Sequence, residues 1–211
     1  MKILVFDTCL DKMYVTLAQD DKVLTSKIVE NKDNKYHSAF LISTIKEILK
    51  ENSLTPSDID LIGTNVGPGS FTGIRACTTV ARVMAQQLNI PAVGVSSLEV
   101  ISKAVNSEKP VVVALDARKN SAYFYKNGEI QGAVLLDTVK ENLDKSDYYL
   151  ITDGKLQPLL GGISYSEQNY DLGQVLAKIV YNKFKAANGN DFEWQKLKPL
   201  YIQPPPVFAS K

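Results

Sequence analysis

The nine residues Gly67-Pro68-Gly69-Ser70-Phe71-Thr72-Gly73-Ile74-Arg75 constrain the fold of this chain more than any other stretch. An apolar run ending at Val66 precedes them, and a helical pattern opens near Thr72. The order is strand, glycine-rich turn, helix N-terminus. Free backbone N–H groups and the helix dipole make such a turn a natural anion site. Glycine permits positive φ and close backbone approach, and Pro68 fixes one φ. Gly67, Gly69 and Ser70 are therefore candidate phosphate contacts. Two familiar phosphate motifs are nevertheless missing. A P-loop needs Lys and Ser/Thr after its last glycine, where this chain has Ile74-Arg75, and in a G-x-G-x-x-G count from Gly67 the third glycine falls one residue late, at Gly73. A tight turn shaped for packing is the competing reading.

A chain of 211 residues can bury one large core or two small ones. Lys+Arg number 24 against Asp+Glu 23, and no basic block stands out. That balance argues against autonomous nucleic-acid binding, which phosphate neutralisation dominates. Cys9 and Cys77 both sit in apolar segments, as small core residues of a reducing compartment and not as a disulfide framework. The N-terminus reaches Asp7 after only four apolar residues, too few for a signal peptide, and no run approaches membrane-spanning length. A cytoplasmic protein with no membrane partner is expected.

The first half predicts strands at 3–6, 13–18 and 23–29, a helix at 38–50, a strand at 59–66, a helix at 73–88, a short strand at 92–95 and a helix from Ser97. Residues 103–110, polar and ending in proline, form the best boundary. This gives an N-terminal lobe at 1–103 and a C-terminal lobe at 104–211. The second half opens on another apolar strand ending in aspartate, 111–116, followed by a hairpin around Asn127-Gly128, a short helix at 139–143 and a strand at 148–152. Residues 171–187 form an amphipathic helix that could pack back on the first lobe, and the tail through Pro204-Pro205-Pro206 is extended. Asp7 and Asp116 thus occupy equivalent places. A duplicated α/β unit with an aspartate after its first strand suggests the two-lobed actin/hexokinase-like (ASKHA) architecture, a doubled ribonuclease-H-like fold of mixed sheets with flanking helices. A strand-end turn or cap is the plainer reading of both aspartates.

Val5-Phe6-Asp7-Thr8, His37-Ser38, residues 66–75, Gly94-Val95-Ser96-Ser97-Leu98-Glu99 and Leu115-Asp116-Ala117-Arg118 resemble the TsaB family, also described as YeaZ or glycoprotease-like. The resemblance covers about residues 1–120. Two positions depart from it: Cys9 stands where the family usually has serine, and Ala39 where an acidic residue usually follows His-Ser. The resemblance implies a subunit needed to form threonylcarbamoyladenosine in tRNAs reading ANN codons. It implies a catalytic TsaD-like partner, a TsaE-like ATPase, a homodimer when alone, and tRNA met only through the complex. ATP or ADP would bind at the level of the complex, with Asp7, Thr8, Gly67, Gly69 and Ser70 as a vestigial phosphate site.

The residues themselves speak against catalysis by this chain. A paired-histidine metal site needs two imidazoles on one helical face, and the chain has one histidine, His37. No metal site is expected. Thiolates of Cys9 or Cys77 are disfavoured in apolar runs. At about 100° per residue, Leu41, Ile42, Ile45, Ile48 and Leu49 form one stripe of the first long helix, with Phe40 roughly opposite beside Thr44 and Glu47. The next helix buries Ile74, Cys77, Val80, Ala81, Met84 and Leu88. Its far side carries Ala76, Thr79, Val83 and Gln87, bordered by Arg75 and Arg82, where a solvated helix would show Lys and Glu. An interface with TsaD or a second copy is expected through His37, Phe40, Leu41, Thr44, Arg75, Ala76, Thr79, Arg82 and Val83. The alternative is an ATP-dependent small-molecule kinase of the ASKHA class, with Asp7 and Thr8 at the phosphates. Against it, the Asp116-Ala117-Arg118-Lys119 turn lacks the glycine or threonine expected at a phosphate hairpin.

Overall fold

The computed structural model describes residues 1–30, 37–143, 147–187 and 191–203. The tail with Pro204-Pro205-Pro206 lies outside the described residues. Two five-stranded sheets have the same plan. The first contains β1 (Lys2–Asp7), β2 (Lys12–Gln19), β3 (Lys22–Glu30), β4 (Leu61–Asn65) and β5 (Ala92–Val95), in the order β3-β2-β1-β4-β5. The second contains β6 (Val111–Asp116), β7 (Ser121–Lys126), β8 (Glu129–Leu135), β9 (Tyr149–Thr152) and β10 (Ile163–Ser164), in the order β10-β9-β6-β7-β8. In each, the first three strands form an antiparallel meander, and the last two join parallel to its first strand. This is the duplicated ribonuclease-H-like, actin/hexokinase-type architecture. Asp7 ends β1, and Asp116 ends β6.

The helices are α1 (Leu41–Glu51), α2 (Phe71–Leu88), α3 (Ser97–Lys103), α4 (Leu136–Leu143), α5 (Gln157–Leu160) and α6 (Leu172–Ala186). Strand periodicity assigns the faces. Leu4 and Phe6 point to the cluster under α1 and α2, while Ile3 and Val5 point to a central cluster shared with Leu98, Leu176 and Val180. Val113 and Leu115 of the second sheet join that central cluster, and Val112 and Ala114 face α4. The helices are exchanged between halves: α3, from the first, lies on β6 and β7, and α6, from the second, lies across the first sheet. Gly63 makes room for α6, since a Cβ there would sit 2.5 Å from Val180 Cγ2.

Side-chain caps set helix starts. Ser70 Oγ accepts from Gly73 N, Ser96 Oγ from Leu98 N, and Asp171 Oδ1 from Gln174 N. Asn89, left-handed at φ 53°, ends α2. A 3-10 turn at His37–Phe40 occupies the first turn of the predicted helix, so α1 itself opens at Leu41. The short helix of the second half begins at Leu136, three residues before its predicted start. Among the described residues, no helix is long and apolar enough to cross a membrane.

Candidate functional site

The glycine turn, the β1–β2 turn and the start of α3 converge on Asp7. This carboxylate is 1% exposed. Its Oδ1 accepts from Cys9 N at 2.6 Å and its Oδ2 from Asn65 Nδ2 at 2.7 Å. Asn65 Oδ1 in turn accepts from Gly67 N at 2.8 Å and Ser97 Oγ at 2.9 Å. One buried amide thereby ties together β1, the glycine turn and α3. The sequence reading missed Asn65 and met Ser97 only as a helix start within residues 94–99; the available signal was a polar residue at the end of the strand, two positions before the first glycine of the turn.

The glycines press on the first hairpin. A Cβ on Gly69 or Gly73 would collide with the backbone carbonyls of Cys9 and Thr8 respectively, and Ser70 N already donates to Cys9 O at 2.8 Å. Thr8 Oγ1 donates to Gly73 O at 2.8 Å, and Thr8 N to Cys77 Sγ at 3.0 Å. So Asp7, Thr8, Gly67, Gly69 and Ser70 are brought together, with the N–H groups of Gly67, Ser70 and Gly73 directed to protein acceptors. The close packing that was the plainer sequence reading of this turn is what its glycines permit. Burial, the Cys77 side chain and the charge of Asp7 push the Cys9 thiol well above its ordinary pKa, which holds it neutral.

The second hairpin repeats the pattern with different chemistry. Asp153 Oδ2 accepts from Asp116 N, as a polar residue again links the two central strand ends. Arg118, Lys119 and Asn120 all adopt positive φ, 61°, 48° and 56°. Partial burial of Asp116 opposes its charge, but the Arg118 N–H, the Lys155 ammonium and the Arg118 charge outweigh it and lower its pKa. The charged form is thus favoured more in the folded chain than in the unfolded one. Its stabilisation is complete above the unfolded carboxyl range, about pH 4, and disappears as pH falls through the lower folded value. Asp116→Asn is therefore expected to destabilise the chain at pH 7 and to be nearly neutral at the acid end. Urea midpoints at the two pH values check this; equal losses at both would exclude the charge effect.

The expected interface residues separate into two groups. Phe40 and Val83 are 39% and 51% exposed, Arg75 and Thr79 are exposed, and Ala76 is half-buried. The turn carrying His37 and Phe40 contacts α2; the His37 side chain lies outside the described ones. Leu41 and Thr44 do not belong to a surface: they are 1% and 6% exposed. The face buried by α1 is Leu41, Thr44, Ile45, Ile48 and Leu49, an i, i+3, i+4, i+7, i+8 stripe. Thr44 can join it because its hydroxyl donates to Phe40 O at 2.9 Å. Ile42, expected in the core, is 47% exposed instead.

The arginines of α2 also hold the chain's own C-terminal segment. Arg82 donates to Leu197 O at 3.0 Å, and its guanidinium lies over Trp194. Arg75 lies 3.9 Å over the Phe71 ring and donates to the Tyr201 hydroxyl, and Leu200 N donates to Val66 O. These contacts seat residues 194–201 beside the glycine turn.

Known proteins agree with this architecture. A family model described as "TsaD: tRNA N6-adenosine threonylcarbamoyltransferase" matches residues 22–181. The Bacillus subtilis tRNA threonylcarbamoyladenosine biosynthesis protein TsaB is 30% identical over 76% of this chain and 69% of its own length. The Escherichia coli TsaB is 28% identical over 59% of this chain and 54% of its own. The matched stretch thus spans between about half and about two thirds of these relatives. The solved structure of YeaZ from Pseudomonas aeruginosa shares the fold, with a TM-score of 0.74 at 22% identity over 95% of this chain and 99% of that one. The chain belongs to the TsaB family of tRNA threonylcarbamoyladenosine biosynthesis proteins.

Proposed function

We propose that this chain is a non-catalytic scaffold that completes and activates a TsaD-type transferase during threonylcarbamoyladenosine formation in tRNAs reading ANN codons. The observation that carries the reading is the internal use of the phosphate-site groups. Asp7 accepts hydrogen bonds from Cys9 N and Asn65 Nδ2, and the N–H groups of Gly67, Ser70 and Gly73 are directed to Asn65, Cys9 and Ser70 respectively. A kinase hairpin would direct such groups at a nucleotide. In parallel, Phe40, Ile42 and Val83 leave apolar surface on the turn before α1, on α1 and on α2, which suits a partner face.

On this reading residues 1–103 carry the contact face for TsaD, or for a second copy when the chain is alone, and residues 104–211 form the second lobe. A TsaE-like ATPase joins the assembly, ATP or ADP binds at the level of the complex, and tRNA is met through the complex in the cytoplasm. Reconstitution of threonylcarbamoyl transfer tests it, with TsaD, TsaE, the donor-making enzyme and tRNA, with and without this chain. Modified nucleoside is expected only when both this chain and TsaD are present. Product without this chain would refute the scaffold role, and submillimolar ATP binding by the isolated chain would favour the kinase instead.

A further inference from the structure

The chain has two cysteines, and the fold places both beside the buried carboxylate of Asp7. The Asp7 carboxylate, Cys9 Sγ and Cys77 Sγ all lie within 4.8 Å of one another. The three residues are 1%, 2% and 0% exposed. We propose that Asp7, Cys9 and Cys77 form a closed, structural site for a zinc-class d10 cation. A cation there would act on how this chain is held together, whatever partner the chain assembles with.

The ligand set selects the ion. Two sulfurs and one carboxylate suit zinc or a similar borderline-soft cation, and not magnesium or calcium, which take oxygen ligands. Zinc bonds of about 2.3 Å to sulfur and about 2.0 Å to oxygen set tetrahedral ligand atoms about 3.5–3.8 Å apart. A cluster already within 4.8 Å reaches that spacing by small side-chain rotations. An oxygen for the fourth position is at hand in Thr8 Oγ1, 3.0 Å from Cys77 Sγ, which sends its proton to Gly73 O.

The surroundings also resemble those of a metal site. Thr8 N–H points at Cys77 Sγ at 3.0 Å, as N–H donors do toward metal-bound sulfur, and Cys9 N and Asn65 Nδ2 hold the two Asp7 oxygens. Two thiols acting simply as small apolar side chains would explain their burial. They would not explain the convergence on a buried carboxylate. Binding exchanges the two thiol protons, which leave to solvent, for the dication. Two thiolates, one carboxylate and the dication leave one net negative charge, facing those N–H donors. The ion would pin the β1–β2 turn to α2. Because Gly69 and Gly73 close over the hairpin, loading is expected during folding, with slow exchange afterwards.

The test uses the full chain, stripped with a chelator in urea under reductant and refolded with Co2+, with Zn2+, or with neither. The Co2+ form is expected to show a near-ultraviolet thiolate-to-cobalt charge-transfer band and tetrahedral visible absorption, saturating at one ion per chain. The Zn2+ form is expected to melt several degrees higher than the metal-free form, and its two thiols to be alkylated at least tenfold more slowly in the native state. Cys9→Ser and Cys77→Ser should each abolish the charge-transfer band at the wild-type saturating concentration, and Asp7→Asn should weaken Co2+ binding tenfold or more. The wild-type readouts decide the matter even where a variant does not fold. Absence of the Co2+ band together with an unchanged melting temperature in Zn2+ would overturn the proposal. So would a band that persists in the doubly substituted Cys9→Ser, Cys77→Ser chain.

Discussion

Gly73→Ala is expected to leave little folded protein at 37 °C. The new methyl would be driven into the Thr8 carbonyl, and the next atoms it meets are the Thr8 carbonyl carbon at 2.7 Å and Cys9 Cα at 3.2 Å. All are backbone atoms of a hairpin held from both sides, by Asp7 and Asn65 beneath and by the Ser70 N–H above. No flexible side chain can swing away, so the strain must move α2 or the hairpin. A loss of about 4 kcal/mol or more is expected, against a typical total of about 5–15 kcal/mol. Urea denaturation followed by far-ultraviolet circular dichroism measures it. Gly128→Ala is the control: its site has open space but φ +83°, so the cost should be about 1–2 kcal/mol for the left-handed conformation alone. A Gly73 loss no larger than the Gly128 loss would contradict close packing as the reason for the glycine.

Val83→Glu is expected to abolish productive assembly while leaving the isolated chain as stable as before. Val83 is 51% exposed on the outer side of α2, so a carboxylate there stays hydrated in the free chain and costs little folding energy. Pressed into an apolar contact it would be desolvated without a partner, at about 3 kcal/mol or more, which is above a hundredfold in Kd. Binding to a TsaD relative by calorimetry, with melting temperature as the fold control, reads both halves of the expectation. Wild-type affinity would place the contact elsewhere; an altered melting temperature would show that Val83 supports the fold.

The outer face of α2 was legible because it depends on one helix. Ile74, Cys77 and Ala81 recur at helical spacing and are buried, while Thr79 and Val83 fall on the far side. The face of α1 was misjudged by one position for a reason that is also local. Ile42 and Thr44 lie at opposite edges of the stripe, and Thr44 conceals its hydroxyl on the Phe40 carbonyl. Apolar counting ranks Ile42 above Thr44; hydrogen bonding within the helix reverses that ranking.

The amino-acid sequence alone therefore determined what repeats over short distances: the alternation of strands, the helical stripes, the aspartates ending β1 and β6, and the glycine turn between β4 and α2. Such patterns arise from backbone geometry with periods of two and 3.6 residues, and the duplicated architecture followed from their order. The tertiary structure decided what depends on contacts between distant segments. It exchanged α3 and α6 between the sheets, brought Asn65 onto Asp7 and Ser97, turned Arg82 toward Leu197, and set Cys9 and Cys77 beside one carboxylate. No local period encodes those meetings, because sheet order and the close approach allowed by Gly69 and Gly73 determine which distant side chains meet.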